Sequence, residues 1–153
     1  MISSSPINSN LNKPHAVVAL AILQQDGQFL MQLRDDFPHI VYPGHWSFFG
    51  GHLEPGETPS EGLQRELIEE INYRVDNPIK ICSYYDEQVT RHIFYAPLTV
   101  ALTELILQEG QDLALLTLED IRQGYAYSKK IQQTRPLGKI HQQILLDYLK
   151  LEL

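Results

Sequence analysis

Apolar residues run unbroken from Ala16 to Leu23, inside a segment from His15 to Gln24, and positions 28–34 then alternate apolar and polar side chains. Both read as β-strands. Asp26-Gly27 between them is a two-residue hairpin signal, because a type I′ turn needs positive φ at both central positions. The segment 35–46, DDFPHIVYPGHW, carries two prolines and a Pro43-Gly44 turn signal, so a long loop is expected before a short strand over Trp46–Phe49. Further strands are predicted at Ile79–Tyr85, Arg91–Leu102 and Leu113–Leu116 from their β-branched and aromatic content. From Pro136 to Leu149 the pattern changes to helical spacing at Ile140, Ile144, Leu145 and Tyr148, with Pro136 allowed in a first turn. With the helix described next, the pattern predicts an α+β sandwich, two helices packed on a mixed sheet.

The second helix is announced by Thr58-Pro59-Ser60-Glu61, a capping box with proline at the first helical position. At 100° per residue Leu63, Leu67, Ile68 and Ile71 make one apolar face, and Glu66, Glu69 and Glu70 share a stripe beside it. Like charges at these spacings cost a few tenths of a kcal/mol per pair, so the stripe works against the helix unless something neutralises it. A divalent cation would do so. A solvated acidic face is the simpler alternative, with Arg65 pairing to Glu61 or Glu69 one turn away.

Composition narrows the partners. A chain of 153 residues with 43% hydrophobic and 20% charged residues is expected to form one globular domain over 15–153, after a loose polar leader over 1–14 that lacks the apolar core of a signal peptide. No apolar run approaches the ~18 residues of a membrane span, and the expected location is cytoplasmic. The formal charge of −7 argues against a sequence-independent grip on a nucleic-acid polymer. It leaves room for a small anionic ligand if a cation stands between ligand and carboxylates. Cys82 is the only cysteine, so neither an internal disulfide nor a thiolate zinc cluster can form. The loop histidines His15, His39, His45 and His52 follow no compact zinc-ligand spacing.

The stretch from Gly51 to Tyr73, GHLEPGETPSEGLQRELIEEINY, resembles the Nudix box: Gly51, then Glu57, then Arg65-Glu66, Leu67, and Glu69-Glu70 stand in register with its fixed positions. Asn72 replaces the final glycine and Tyr73 the aliphatic residue after it. Asn is the next most tolerant residue for the left-handed conformation that ends a helix, and Tyr73 needs a partner for its hydroxyl if buried. The similarity extends less specifically from His15 to Leu118. Trp46-Ser47-Phe48-Phe49-Gly50-Gly51 is similar to the Trp-x-Phe-Pro-Gly-Gly entrance of MutT-type members, with Phe49 for proline, and Glu109-Gly110-Gln111 to the loop that supplies one more carboxylate there.

That resemblance implies an α/β/α sandwich and hydrolysis of a nucleoside diphosphate linked to a further group, yielding a nucleoside phosphate, with a leaning toward nucleoside triphosphates. It implies Mg²⁺ or Mn²⁺ held by Glu66, Glu69, Glu70 and Glu109 with the Gly51 carbonyl, and an attacking water served by Glu66 or, in rivalry, Glu109. Glu57 and Arg65 would pair across the loop–helix junction, Arg34 would meet a substrate phosphate unless Asp35 or Asp36 pairs with it, and Phe48, with Tyr42 and Trp46, would form either a base-binding wall or core. A small-molecule nucleotide is the implied partner, and a homodimer is left open. A Nudix-like module that senses a nucleotide or sugar phosphate without cleaving it is the rival function. An isomerase of the isopentenyl diphosphate type is remote, since Cys82 lies in no matching context.

Overall fold

Strands β1 (Ala16–Gln25) and β2 (Gln28–Leu33) are joined through Asp26 and Gly27 at φ 52° and 74°, the positive values the hairpin signal demanded. The computed structural model describes residues 15–152; the leader expected over 1–14 lies outside the described residues. β1 also pairs in parallel with β6 (Val89–Pro97), whose other edge carries β5 (Ile79–Tyr85) antiparallel. β7 (Asp112–Leu116) pairs with β2, and the mixed sheet is completed by β3 (Trp46–Ser47) on β2 and β4 (Phe49–His52) on β1.

Side chains of β1 point alternately to two cores. Ala19, Ala21 and Leu23 join Leu63, Leu67 and Ile71 of helix α1 (Pro59–Ile71). Leu20 and Ile22 join Ile144 and Leu145 of a helix on the opposite face. Burial on both faces is why β1 reads as one continuous apolar run, and the result is the expected α/β/α sandwich. Among the described residues no helix is long and apolar enough to cross a membrane.

Several expected boundaries are corrected. The strand expected over Trp46–Phe49 divides at Phe48, where the chain leaves β2 for β1. There the Phe48 N–H donates to the His141 ring (3.3 Å) and the Phe48 carbonyl accepts from Gln32 (3.1 Å), so side chains satisfy the backbone groups. The strand expected over Arg91–Leu102 begins at Val89, because Asp86 accepts from the Gln88 and Val89 amides and tightens the turn, and it stops at Pro97, which has no N–H to extend the ladder. Beyond the strand expected over Leu113–Leu116, Leu118 opens an unexpected helix α2 (Leu118–Gln123), capped reciprocally by Thr117 and Asp120. A hairpin of β8 (Tyr125–Ser128) and β9 (Gln133–Pro136), absent from the sequence reading, follows. Pro136 therefore closes a strand, and the last helix, α3, spans Lys139–Glu152. Tyr148 of α3 stacks on Tyr95, and Asp147 accepts from the Tyr84 hydroxyl (2.6 Å), which docks the helix on the sheet.

Helix α1 matches its capping signals. Thr58 Oγ1 accepts from the Glu61 amide at 3.2 Å and Glu61 accepts from the Thr58 amide at 2.9 Å. Ile68, placed on the apolar face by its spacing, is 42% exposed; Gly62 is buried in its place, where an added Cβ would lie 2.3 Å from Leu53. Asn72 ends the helix at φ 53°, ψ 42°, and the buried Tyr73 hydroxyl accepts from the Thr99 amide at 3.2 Å. Asn72→Gly is therefore expected to be neutral or slightly stabilising, and Asn72→Val to cost on the order of 1 kcal/mol or more. Thermal denaturation of both variants checks this; valine tolerated as well as glycine would contradict the left-handed cap.

Candidate active site

Arg65 is the hub of the loop–helix junction. Its guanidinium donates to both Glu57 oxygens (2.7 and 3.0 Å), to the His52 carbonyl (3.0 Å), to Glu66 Oε1 (3.0 Å) and to Glu69 Oε2 (3.1 Å). The bidentate Glu57 contact joins the loop before α1 to the body of that helix. Arg65 is raised above its ordinary pKa, chiefly by the Glu57 hydrogen bond, and the same bond lowers Glu57. The expected pairing of these two residues is present, and it ties the register of β4 to α1 through the His52 carbonyl.

Two glycines set the distance between β4 and the helix. Gly50 has φ 131°, and a Cβ there would stand 2.1 Å from the Ala19 carbonyl oxygen, so the strand crosses β1 with no room for a side chain. A Cβ on Gly51 would come within 2.7 Å of the Glu66 carboxylate, which lies against the glycine backbone. The Gly50 amide donates to Glu70 Oε1 at 2.8 Å. Burial pushes Glu70 up to about 8 despite that hydrogen bond, and the charges of Glu66 and Glu109 push the same way while Arg34 opposes them.

Glu109 reaches this place because its loop closes the end of α1. The Ile106 and Gln108 amides donate to the Ile71 and Glu70 carbonyls at 3.2 and 3.0 Å, satisfying acceptors that a helix C-terminus leaves open. On the other side the Gly110 amide donates to Asp35 (3.3 Å), and the Gln111 amide to the Leu33 carbonyl (2.8 Å). Glu70, Glu109, Arg34 and Asp35 thus line one cavity of about 290 Å³. Asp86 is engaged with Arg91 (2.9 Å) and its own turn, and neither it nor Glu87 lines that cavity.

Arg34 makes no ion pair among the described residues. Asp36, its candidate partner, goes to Arg135 at 3.3 Å, and Asp35 accepts from Gly110. The buried Nε of Arg34 is without a hydrogen-bond partner. Arg34 also lines a second cleft, of about 270 Å³, with Phe48, Tyr42, Gly50 and Gly51. Phe48 is both core and wall, 2% exposed yet facing the cleft, whereas Trp46 is core alone, its indole N–H donating to the Ala126 carbonyl at 3.1 Å.

The fold therefore gathers Gly51, Glu66, Glu70, Glu109 and Arg34 and leaves Glu69 outermost, its side chain 59% exposed on the Arg65 side. Among the described residues no three carboxylate, imidazole or thiolate groups stand ready-made as a metal cage; Arg65 and the Gly50 amide meet the glutamates instead. In chemistry the set fits a hard divalent cation: its donors are oxygens, and the carboxylates of Glu66 and Glu109 bring their charge to bear on a half-buried Glu70. The sequence reading missed the Gly50 amide, Ser47 and His141. His141 left a trace, since it falls on the same helical stripe as Ile144, Leu145 and Tyr148.

Comparison with known proteins identifies the family and the fold. The NUDIX domain family model matches residues 13–135. Nucleoside triphosphatase NudI of Enterobacter sp. (strain 638) is 29% identical over 119 residues, covering 68% of this chain and 83% of that protein. The NudI of Escherichia coli (strain K12 / DH10B) is 40% identical over 55 residues, 35% of this chain and 38% of that protein. In structure, the MutT protein from Methanosarcina mazei Go1 superposes with a TM-score of 0.69 at 18% identity, over 92% of this chain and 96% of that one. The MutT NUDIX hydrolase from Burkholderia pseudomallei gives 0.66 at 19% identity, over 88% and 98%.

Proposed function

The chain belongs to the Nudix family of pyrophosphohydrolases, and from that membership we propose that it hydrolyses nucleoside triphosphates, releasing a nucleoside monophosphate and pyrophosphate. The observation that carries the reading is the half-buried Glu70 carboxylate, with Glu66 and Glu109 acting on it and the unpaired Arg34 in the same cavity. The NudI relatives support the triphosphate in particular. A cytoplasmic location goes with this substrate.

Nudix hydrolases use divalent metals, and here Glu66 and Glu70, with Glu109 and the Gly51 carbonyl, would hold Mg²⁺ or Mn²⁺, which offsets phosphate charge and acidifies a water. Glu69 would serve from outside, through Arg65. Arg34 joins the two cavities, so it would bind a phosphate oxygen while the remainder of the nucleotide enters the second cleft. Glu109 would accept the proton of the attacking water. Its carboxylate makes no hydrogen bond or ion pair among the described residues, whereas Glu66 Oε1 is engaged by Arg65 at 3.0 Å. Glu57 and Arg65 keep β4 and α1 in register.

Phosphate and pyrophosphate release over a panel of nucleoside triphosphates and nucleotide sugars with Mg²⁺ tests the proposal. Triphosphates are expected to be turned over about tenfold or more faster than nucleotide sugars, the margin set by a transition-state difference of ~1.4 kcal/mol. Faster cleavage of nucleotide sugars would replace the substrate class. Tight binding without cleavage of any member would make the protein a sensing module.

A further inference from the structure

We propose that His141 selects the base of the nucleotide, donating a hydrogen bond from Nε2 to the keto oxygen at pyrimidine C4 or purine C6, so that uracil-, thymine- or guanine-type substrates are preferred over cytosine- or adenine-type ones, which carry an amino group there. This rests on the nucleotide reading above and adds to it the class of base.

The donor role follows from geometry. His141 sits on α3, 8% exposed, and lines the cleft that Arg34 shares with the carboxylate cavity. The Phe48 backbone N–H donates to Nδ1 at 3.3 Å. A backbone amide can only donate, so Nδ1 accepts and the neutral ring carries its proton on Nε2. Burial, with the charges of Arg91 and Arg34, holds His141 down at about 3, in keeping with a neutral ring. Nε2 makes no hydrogen bond among the described residues.

The ring is also held in place. Phe48 and Tyr42 meet it edge-on at 5.1 and 5.6 Å between centroids, and Tyr42 does so from φ 52°, a value costly for a bulky residue. A Cβ on Gly138 would lie 2.8 Å from the imidazole, so the start of α3 is shaped to admit it. A tautomer and orientation fixed in this way can discriminate, because a site built to donate rejects a ligand that presents a second donor.

The rest of the lining agrees. Arg34, Arg91 and His141 are the cleft side chains of fixed hydrogen-bonding sense, and all three donate; Tyr42 and His52 can serve in either sense, and neither a carboxylate nor a carboxamide lines it. Ser47 Oγ, buried and unpartnered in the same wall, can serve in either sense and does not choose. Val18, Leu20 and Ile140 supply apolar surface for a planar ring.

The test compares kcat/KM for UTP against CTP and for GTP against ATP. The wild-type protein is expected to favour the keto member of each pair by about tenfold or more. His141→Asn retains an acceptor near Nδ1 for the Phe48 amide but leaves no donor at the Nε2 position, and its ratios should fall to within about threefold of unity through KM, with CTP little affected. His141→Gln places an amide N–H near Nε2 and should retain most of the preference. An indifferent wild type, or an unchanged ratio in His141→Asn, overturns the proposal. Ring-nitrogen NMR of the wild-type protein gives an independent reading, even without turnover or with unfolded variants. UDP should shift the His141 Nε2–H resonance and CDP should not, and equal shifts, or none, overturn the proposal. Failure of every nucleotide to turn over, with UDP still selective in that titration, would sink the hydrolase reading and leave this one standing.

Discussion

Glu70→Gln should lower turnover by more than about 10²-fold, since even groups that only support a metal ligand are worth 10- to 100-fold, and should make the metal-free protein more stable at alkaline pH. The amide keeps an oxygen for the Gly50 N–H, which donates to Glu70 Oε1 at 2.8 Å, so the fold loses no hydrogen bond. What it loses is a charge in a place where burial and the charges of Glu66 and Glu109 push the carboxyl up to about 8. The sign follows from linkage: the native state holds the proton where the unfolded chain, with its model value of 4.5, has released it. Stability from this group is therefore full below 4.5, declines as pH rises, and is lost once pH passes about 8. Thermal denaturation in EDTA should show the variant and wild type close at pH 4 and the variant higher at pH 9. Saturating Mg²⁺ at pH 9 should raise the wild-type midpoint and do much less for the variant. A turnover near normal at subsaturating Mg²⁺, or a variant less stable at pH 9, would show that Glu70 is neither a ligand nor a desolvated carboxylate.

Glu109→Gln should lower kcat by about 10²-fold or more, the size expected for a positioned base or charge partner, with KM changed much less. Glu87→Gln should do little. The contrast follows from what each loop does: the Glu109 loop is held at both ends, by the Glu70 and Ile71 carbonyls and by Asp35 and Leu33, so its carboxylate is delivered to the Glu70 cavity. Glu87 lies in the exposed turn that Asp86 organises with Arg91. If the same assay ranks Glu87→Gln as the more damaging change, the additional carboxylate comes from the β5–β6 turn.

The parts of this protein legible in the sequence are those decided by neighbours along the chain. The Thr58–Glu61 box, the left-handed Asn72 and the Asp26-Gly27 turn each depend on a few consecutive residues, and all three stand as read. The stripe of Glu66, Glu69 and Glu70 was likewise visible, because residue spacing on a helix is set by 3.6 residues per turn, whereas Gly51 and Glu57 were named by the resemblance to the Nudix box alone. Helix α2 and the β8–β9 hairpin were missed although Thr117, Asp120 and Gly124 form a cap at each end of α2, because a six-residue helix is too short for an apolar period to stand out.

Tertiary structure decided which of the glutamates turn inward and what each cation meets. Glu69 and Glu70 are adjacent in the chain, yet Arg65 takes one toward solvent and the Gly50 amide, 20 residues away in sequence, holds the other half-buried in the cavity wall. Arg34 is left unpaired because Asp36 finds Arg135, 99 residues on. His141 acquires a defined tautomer only when α3 brings it to the Phe48 amide, 93 residues earlier in the chain. Spacing along a helix names candidates by face. Burial and pairing depend on whichever distant segment covers that face, and it is those two quantities that set the charge and the hydrogen-bonding sense of a side chain.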